Sequence, residues 1–135
     1  MRLHLAIAAG TALGGLSRYL VGIAVVGGLG LAHPVATLAV NLLGCLLIGA
    51  LATLTGPQGR LKVSPTVYQA VVTGFLGGFT TFSMLSVETL DWAHANGLTS
   101  AAVVLGLHLI AALAAAWLGH GLATRYNASR PRNPG

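Results

Sequence analysis

The chain reads as an all-α membrane protein with four transmembrane helices, the third broken at its centre. Of its 135 residues 55% are apolar and only 7% are charged, against about 25% charged in an ordinary soluble domain. The apolar residues fall into four stretches, each near the roughly 20 residues needed to cross the hydrocarbon core. The third stretch carries at mid-depth the run Gly74-Phe-Leu-Gly-Gly-Phe-Thr-Thr-Phe-Ser83. Adjacent glycines and β-branched threonines weaken a helix there. The length leaves no room for a second, soluble domain beside a four-helix domain over residues 1–122.

The first span covers residues 3–28 and contains Arg18. Its Met1-Arg2 start and alanine-containing apolar run faintly resemble a signal peptide, but Arg18 interrupts the apolar core and three spans follow, so a retained helix is expected. Glycines 28 and 30 close it, and Pro34 suits a new helix start. The second span, 35–54, has one strongly polar group, Asn41. Residues 55–65, with Gly56, Pro57, Gly59, Arg60, Lys62 and Pro65, form a polar loop. The third span is 66–95. A break in it would free backbone groups, which lipid does not tolerate unless they face protein, water or an ion; such breaks mark sites in transporters, and a plain kink at the glycine pair is the competing reading. Asn96-Gly97 makes a turn and the fourth span is 99–122. The basic tail, 123–135, ends in Ser129-Arg-Pro-Arg-Asn-Pro-Gly135 and is predicted to be disordered. Gly10 with Gly14, and Gly74 with Gly78, have the small-xxx-small spacing that lets helices approach closely in lipid. So thin a bundle is expected to oligomerise.

A net charge of +5 raises the possibility of nucleic-acid binding. The basic residues, however, flank the apolar spans, where they orient a membrane protein, and no basic face interleaved with aromatics exists. Cys45 is the only cysteine, which rules out an intrachain disulfide. No phosphate-binding loop or His-Glu-x-x-His pair is present. The five histidines are scattered, and Glu88 and Asp91 are the only carboxylates. An enzyme is not expected.

What remains at membrane depth is a set of neutral hydrogen-bonding groups, Asn41, Thr80, Thr81 and Ser83, interleaved with Phe79 and Phe82. Neutral donors suit a small anion, replacing part of its hydration without trapping it, and aromatic rings present a positive edge. Taken singly, Asn41 reads as an interhelical hydrogen bond and the phenylalanines as lipid-facing or core residues. Their concentration beside a weakened helix favours a conduction path. Arg18 needs a partner at this depth: helix carbonyls, the glycine-rich run, or the surface, with a structural anchor near the aqueous side as the favoured role.

Gly14-Gly-Leu-Ser-Arg-Tyr19, Ala36-Thr-Leu-Ala-Val-Asn-Leu-Leu-Gly44 and the run 74–83 resemble the Fluc/CrcB fluoride channel family, in the family's order and across all four spans. The resemblance implies passive fluoride export that protects a cell from fluoride entering as the neutral weak acid. It implies an antiparallel dimer with two pores. Asn41 matches the pore asparagine, and Phe82 the first of two phenylalanines whose ring edges face fluoride. Gly77 and Thr80 match the residues whose backbone carbonyls hold a central structural sodium ion, Na+, and carbonyl oxygens are hard ligands suited to it. Thr81 and Ser83 are polar lining, and Glu88 matches a glutamate toward the pore end. The family's second phenylalanine is Leu85 here, its fourth-span tyrosine and serine correspond to Val104 and His108, and a threonine two residues before the asparagine is Ala39. Half the polar track is thus expected to be blunted.

Arg2, Arg60, Lys62, Arg125, Arg130 and Arg132 all fall on one side of a four-span topology and no Lys or Arg on the other, 6 against 0 with Arg18 set aside. This bias predicts cytoplasmic termini in the cell membrane. An antiparallel homodimer would instead need one sequence to insert both ways. The expected alternative is a subunit that works with an inverted paralogue as a heterodimer. A small proton-coupled multidrug exporter is a remoter alternative, because the first span has no carboxylate and Glu88 and Asp91 come late in the third.

Overall fold

The computed structural model describes residues 1–129. Helix α1, Arg2–Ile23, runs into a π-helical turn, Ala24–Gly28. Helix α2 is His33–Thr55. The third span, Pro65–Asn96, is assembled from pieces. Pro65–Tyr68, π-helical Gln69–Leu76 and Gly77–Phe79 make up α3 (65–79), and Phe82–Asn96 is α4. Helix α5, Leu98–Ala128, completes the bundle. All four spans are long and apolar enough to cross a membrane.

Local chemistry sets these boundaries. Pro34 lies in the first turn of α2 and Pro65 in that of α3, where a missing N–H costs nothing. Ser64 Oγ accepts from the Val67 amide and caps α3. Gly30 (φ 66°) and Gly97 (φ 86°) take the left-handed backbone that glycine adopts without steric cost. They let α1 turn back into α2, and α4 into α5, within a few residues.

The helices pack as two close pairs. On α1 and α3 the two small-xxx-small motifs face each other. A Cβ at Gly14 would strike the backbone of Phe75 and Phe79, and one at Gly78 would strike the backbone of Thr11. Helices α2 and α5 meet in the same way, with Gly49 against the Ala116 carbonyl and Gly119 against the Leu46 carbonyl. Such contact replaces the hydrophobic effect, which lipid does not supply between helices. Leu107, Ile110, Leu113 and Trp117 on α5 are exposed on the single chain, an apolar surface suited to lipid.

The fourth span differs from expectation at its end. Helix α5 continues through residues 123–128 instead of giving way to a tail at 122. The 55–65 loop holds those last turns. The Arg60 guanidinium donates to the Asn127 carbonyl (3.1 Å) and to Ser129 Oγ (3.3 Å), and it stacks 4.5 Å from the centre of the Tyr126 ring. A cation at a helix C-terminus satisfies carbonyls that have no amide partner. The rest of the predicted tail, 130–135, lies outside the described residues.

Candidate functional site

The helical course of the third span is interrupted at Thr80 (φ −79°, ψ 162°) and Thr81 (φ −150°, ψ 123°), both extended. The Thr80 amide still donates to the Leu76 carbonyl (3.0 Å). The Thr81 amide leaves the helix and donates to Asn41 Oδ1 at 2.8 Å, while Asn41 Nδ2 donates to the Thr81 carbonyl at 2.9 Å. One side chain from α2 therefore supplies the acceptor that the Thr81 amide loses by leaving the helix, and a donor to the same residue's carbonyl. The Gly77 carbonyl, four residues before Thr81, is left without its helical amide. Gly44, three residues beyond Asn41 on α2, brings that helix against the step: a Cβ there would strike Thr80 Cγ2. Thr81 Oγ1 accepts from the Met84 amide (3.1 Å) and caps α4.

Three more groups gather around this step. Arg18 on α1 donates to the Thr80 carbonyl at 3.1 Å, so its partner is the glycine-rich run and not the aqueous surface. His108 on α5 lies with Nε2 3.1 Å from Asn41 Nδ2. Ser83 Oγ and Thr81 Oγ1 are 3.1 Å apart and share a hydrogen. Asn41, Thr81 and His108 are all buried, and no buried side-chain polar atom among the described residues lacks a partner. Nearby, Thr37 Oγ1 donates to Glu88 Oε1 at 2.6 Å. A cavity of about 650 Å³ opens here, lined among others by Arg18, Thr37, Thr81, Ser83 and Glu88.

The predicted residues separate into two sets. Asn41, Thr80, Thr81, Ser83, Arg18 and His108 meet at the step. Phe82 is 66% exposed and Gly77 is exposed, both on the outside of the single chain. Leu85 is buried at 4% exposure, whereas Val104 is 39% exposed. Phe79 is core, stacked on Phe75 with ring centres 6.0 Å apart. His108, taken from sequence as a lost position in the polar track, instead bonds to Asn41. Thr37 was passed over, although its position four residues before Asn41 puts both on one helix face.

Four apolar spans with their polar chemistry gathered at one interruption define a multi-pass membrane protein with an internal polar site. The family model described as "CrcB-like protein, Camphor Resistance (CrcB)" matches residues 5–120. The chain belongs to the CrcB family. It is 46% identical over 121 residues to a protein named fluoride-specific ion channel FluC 1 of Bradyrhizobium diazoefficiens, covering 90% of this chain and 84% of that one. It is also 46% identical to the FluC 1 of Rhodopseudomonas palustris, covering 93% and 89%, and 43% identical to the FluC of Opitutus terrae, covering 94% and 96%.

Proposed function

We propose that this chain is a subunit of a fluoride channel that lets cytoplasmic fluoride leave passively and so lowers its toxicity. The observation that carries this reading is the clamp of Asn41 on the Thr81 backbone, beside two hydroxyls and an exposed ring. Asn41's amide hydrogens are spent on Thr81 and His108, so its part is to hold the step open. The donors come from Thr81 and Ser83. Their two hydroxyls carry two hydrogens, and the mutual bond uses one of them. The other is free for an anion. Phe82, outside the single chain, supplies a ring edge of positive character where a second subunit would complete the path. Glu88, held by Thr37, stands toward the end of the path.

A structural Na+ fits the donors of the step. The Gly77 carbonyl has no helical amide, and a Cβ at Gly77 would meet nothing within 4 Å, so this face is open. The Thr80 carbonyl receives Arg18 on one lone pair and retains the other. Two hard oxygens from this chain, with the same pair from an antiparallel partner, would hold the ion and tie the subunits together.

The bias of basic residues, 6 against 0, favours cytoplasmic termini and with them an inverted paralogue as the partner, over a homodimer. Fluoride efflux from liposomes tests both levels. Efflux with the chain alone or with a paralogue supports the channel, and its absence in both preparations refutes it. A reporter fused to the tail that is found outside the cell in a large share of molecules would favour the homodimer.

A further inference from the structure

His108 on α5 has no counterpart in the set of groups needed to shape the step, yet its Nε2 meets Asn41 Nδ2 at 3.1 Å. Chemistry at the other end of the carboxamide fixes what that nitrogen must be. A backbone N–H only donates and a carbonyl only accepts. Thr81 presents one of each to Asn41, at 2.8 Å and 2.9 Å, so the carboxamide has a single orientation. Its remaining Nδ2 hydrogen is directed at His108, and Nε2 has to accept it. A histidine accepts at Nε2 only as a neutral ring with its proton on Nδ1.

Protonation would turn Nε2 from an acceptor into a donor that faces another donor. The carboxamide can relieve this only by turning its oxygen toward the ring. Thr81 N–H would then face an N–H₂ group, and Thr81 C=O an oxygen. All three residues are buried, where a mispaired group is costly.

We propose that His108 is a positioning residue for the anion path: neutral, it locks Asn41 onto the Thr81 step, and protonated, it unlocks the step and stops conduction. The proposal rests on the channel reading for its flux consequence and on hydrogen-bond geometry alone for the lock. Helices α2 and α4 pack against α5. Their titratable side chains are His33 and Cys45 on α2, and Glu88, Asp91 and His94 on α4. Of these, Glu88 has its carboxylate held by Thr37.

The test has two readouts. Nitrogen-15 NMR of the histidine-labelled full chain in bicelles reads the tautomer, with the His108 signals identified by their loss in H108Q. At about pH 8, above the ordinary imidazole pKa of about 6.5, Nδ1 should carry the proton and Nε2 should not. Fluoride efflux from proteoliposomes is then measured down to about pH 5.5, with leak from protein-free vesicles subtracted at each pH. Wild-type flux should fall about twofold by the low-pH end of that range, because the cost of the mispaired buried bond opposes protonation of the ring and only part of the molecules are unlocked there. Gln accepts from Asn41 without titrating, so the H108Q profile, normalised to its own value at the highest pH, should be flat. An Nε2–H tautomer, a flat wild-type profile, or an H108Q profile that follows wild type overturns the proposal. Wild-type protein that passes no fluoride at any pH overturns the channel reading instead, and the tautomer then decides the lock by itself.

Discussion

Asn41→Leu is the most informative single substitution, because it keeps the branched shape and the number of side-chain heavy atoms and removes every hydrogen bond of the clamp. It strands the Thr81 amide, the Thr81 carbonyl and His108 Nε2, each now held at 2.8 to 3.1 Å. Valued as ordinary interhelical bonds in membranes, at about 0.6 kcal/mol each, the loss is about 2 kcal/mol. Valued as buried unsatisfied groups, at about 1–3 kcal/mol each, it reaches several times that. The Thr81 backbone is pinned between α3 and α4 and cannot turn away to find other partners. The expected cost is therefore about 3 kcal/mol, or roughly a hundredfold in the unfolding equilibrium. Denaturant unfolding in mixed micelles measures it, and fluoride efflux read alongside should fall. A loss below about 0.5 kcal/mol with unchanged efflux would mean that the clamp neither holds the fold nor shapes the path.

Gly78→Leu should lower the thermal midpoint in detergent, because its side chain meets the Thr11 backbone and overpacking costs about 1–3 kcal/mol or more. Gly15→Ala meets nothing within 4 Å and should be neutral or stabilising, by up to about 1 kcal/mol in helix propensity; equal effects from the two would contradict the α1–α3 seam. Phe82→Ile leaves the single chain's core intact, since Phe82 is 66% exposed, so it should cut fluoride efflux while leaving unfolding nearly unchanged. Arg60→Ala should speed amide exchange over residues 124–128 and cost about 1 kcal/mol, from the lost carbonyl bond and ring stacking; unchanged exchange there would show that the loop does not hold the helix end.

The four spans were legible because hydropathy over 20 residues carries the membrane signal, and the facing glycine motifs because their spacing is itself the packing rule. Details of hydrogen bonding were not. The π-helical register of Gln69–Leu76 shifts partners by one residue, and that leaves no trace in composition. The end of α5 was misjudged because Arg60 reaches it from 67 residues away in sequence. Arg18 had three possible partners on paper, and only the approach of α1 to α3 selects the Thr80 carbonyl. His108 looked like a lost hydroxyl because residue type was compared without geometry. An imidazole is long enough to reach Asn41 across the α2–α5 seam.

The same geometry explains why the site and the stability of this bundle are hard to separate. Glycine contacts join α1 to α3 and α2 to α5, making two tight pairs, and Gly44 brings the second pair against Thr80 at the end of α3. The extended residues Thr80 and Thr81 lie where the pairs meet. Arg18 grips the step from the first pair, and Asn41 grips it from the second with His108 behind it. An uninterrupted helix would satisfy its own backbone and leave Arg18 and Asn41 with nothing to hold. The interruption is therefore what lets polar side chains at membrane depth bind the two pairs together. The polar bonds that grip the step end on its backbone, at the Thr80 carbonyl and at the Thr81 amide and carbonyl. A bundle built this way gains cohesion from the irregularity that also sets Thr81 and Ser83 on the wall of the cavity. Straightening the third span would remove the cross-link and the donors together.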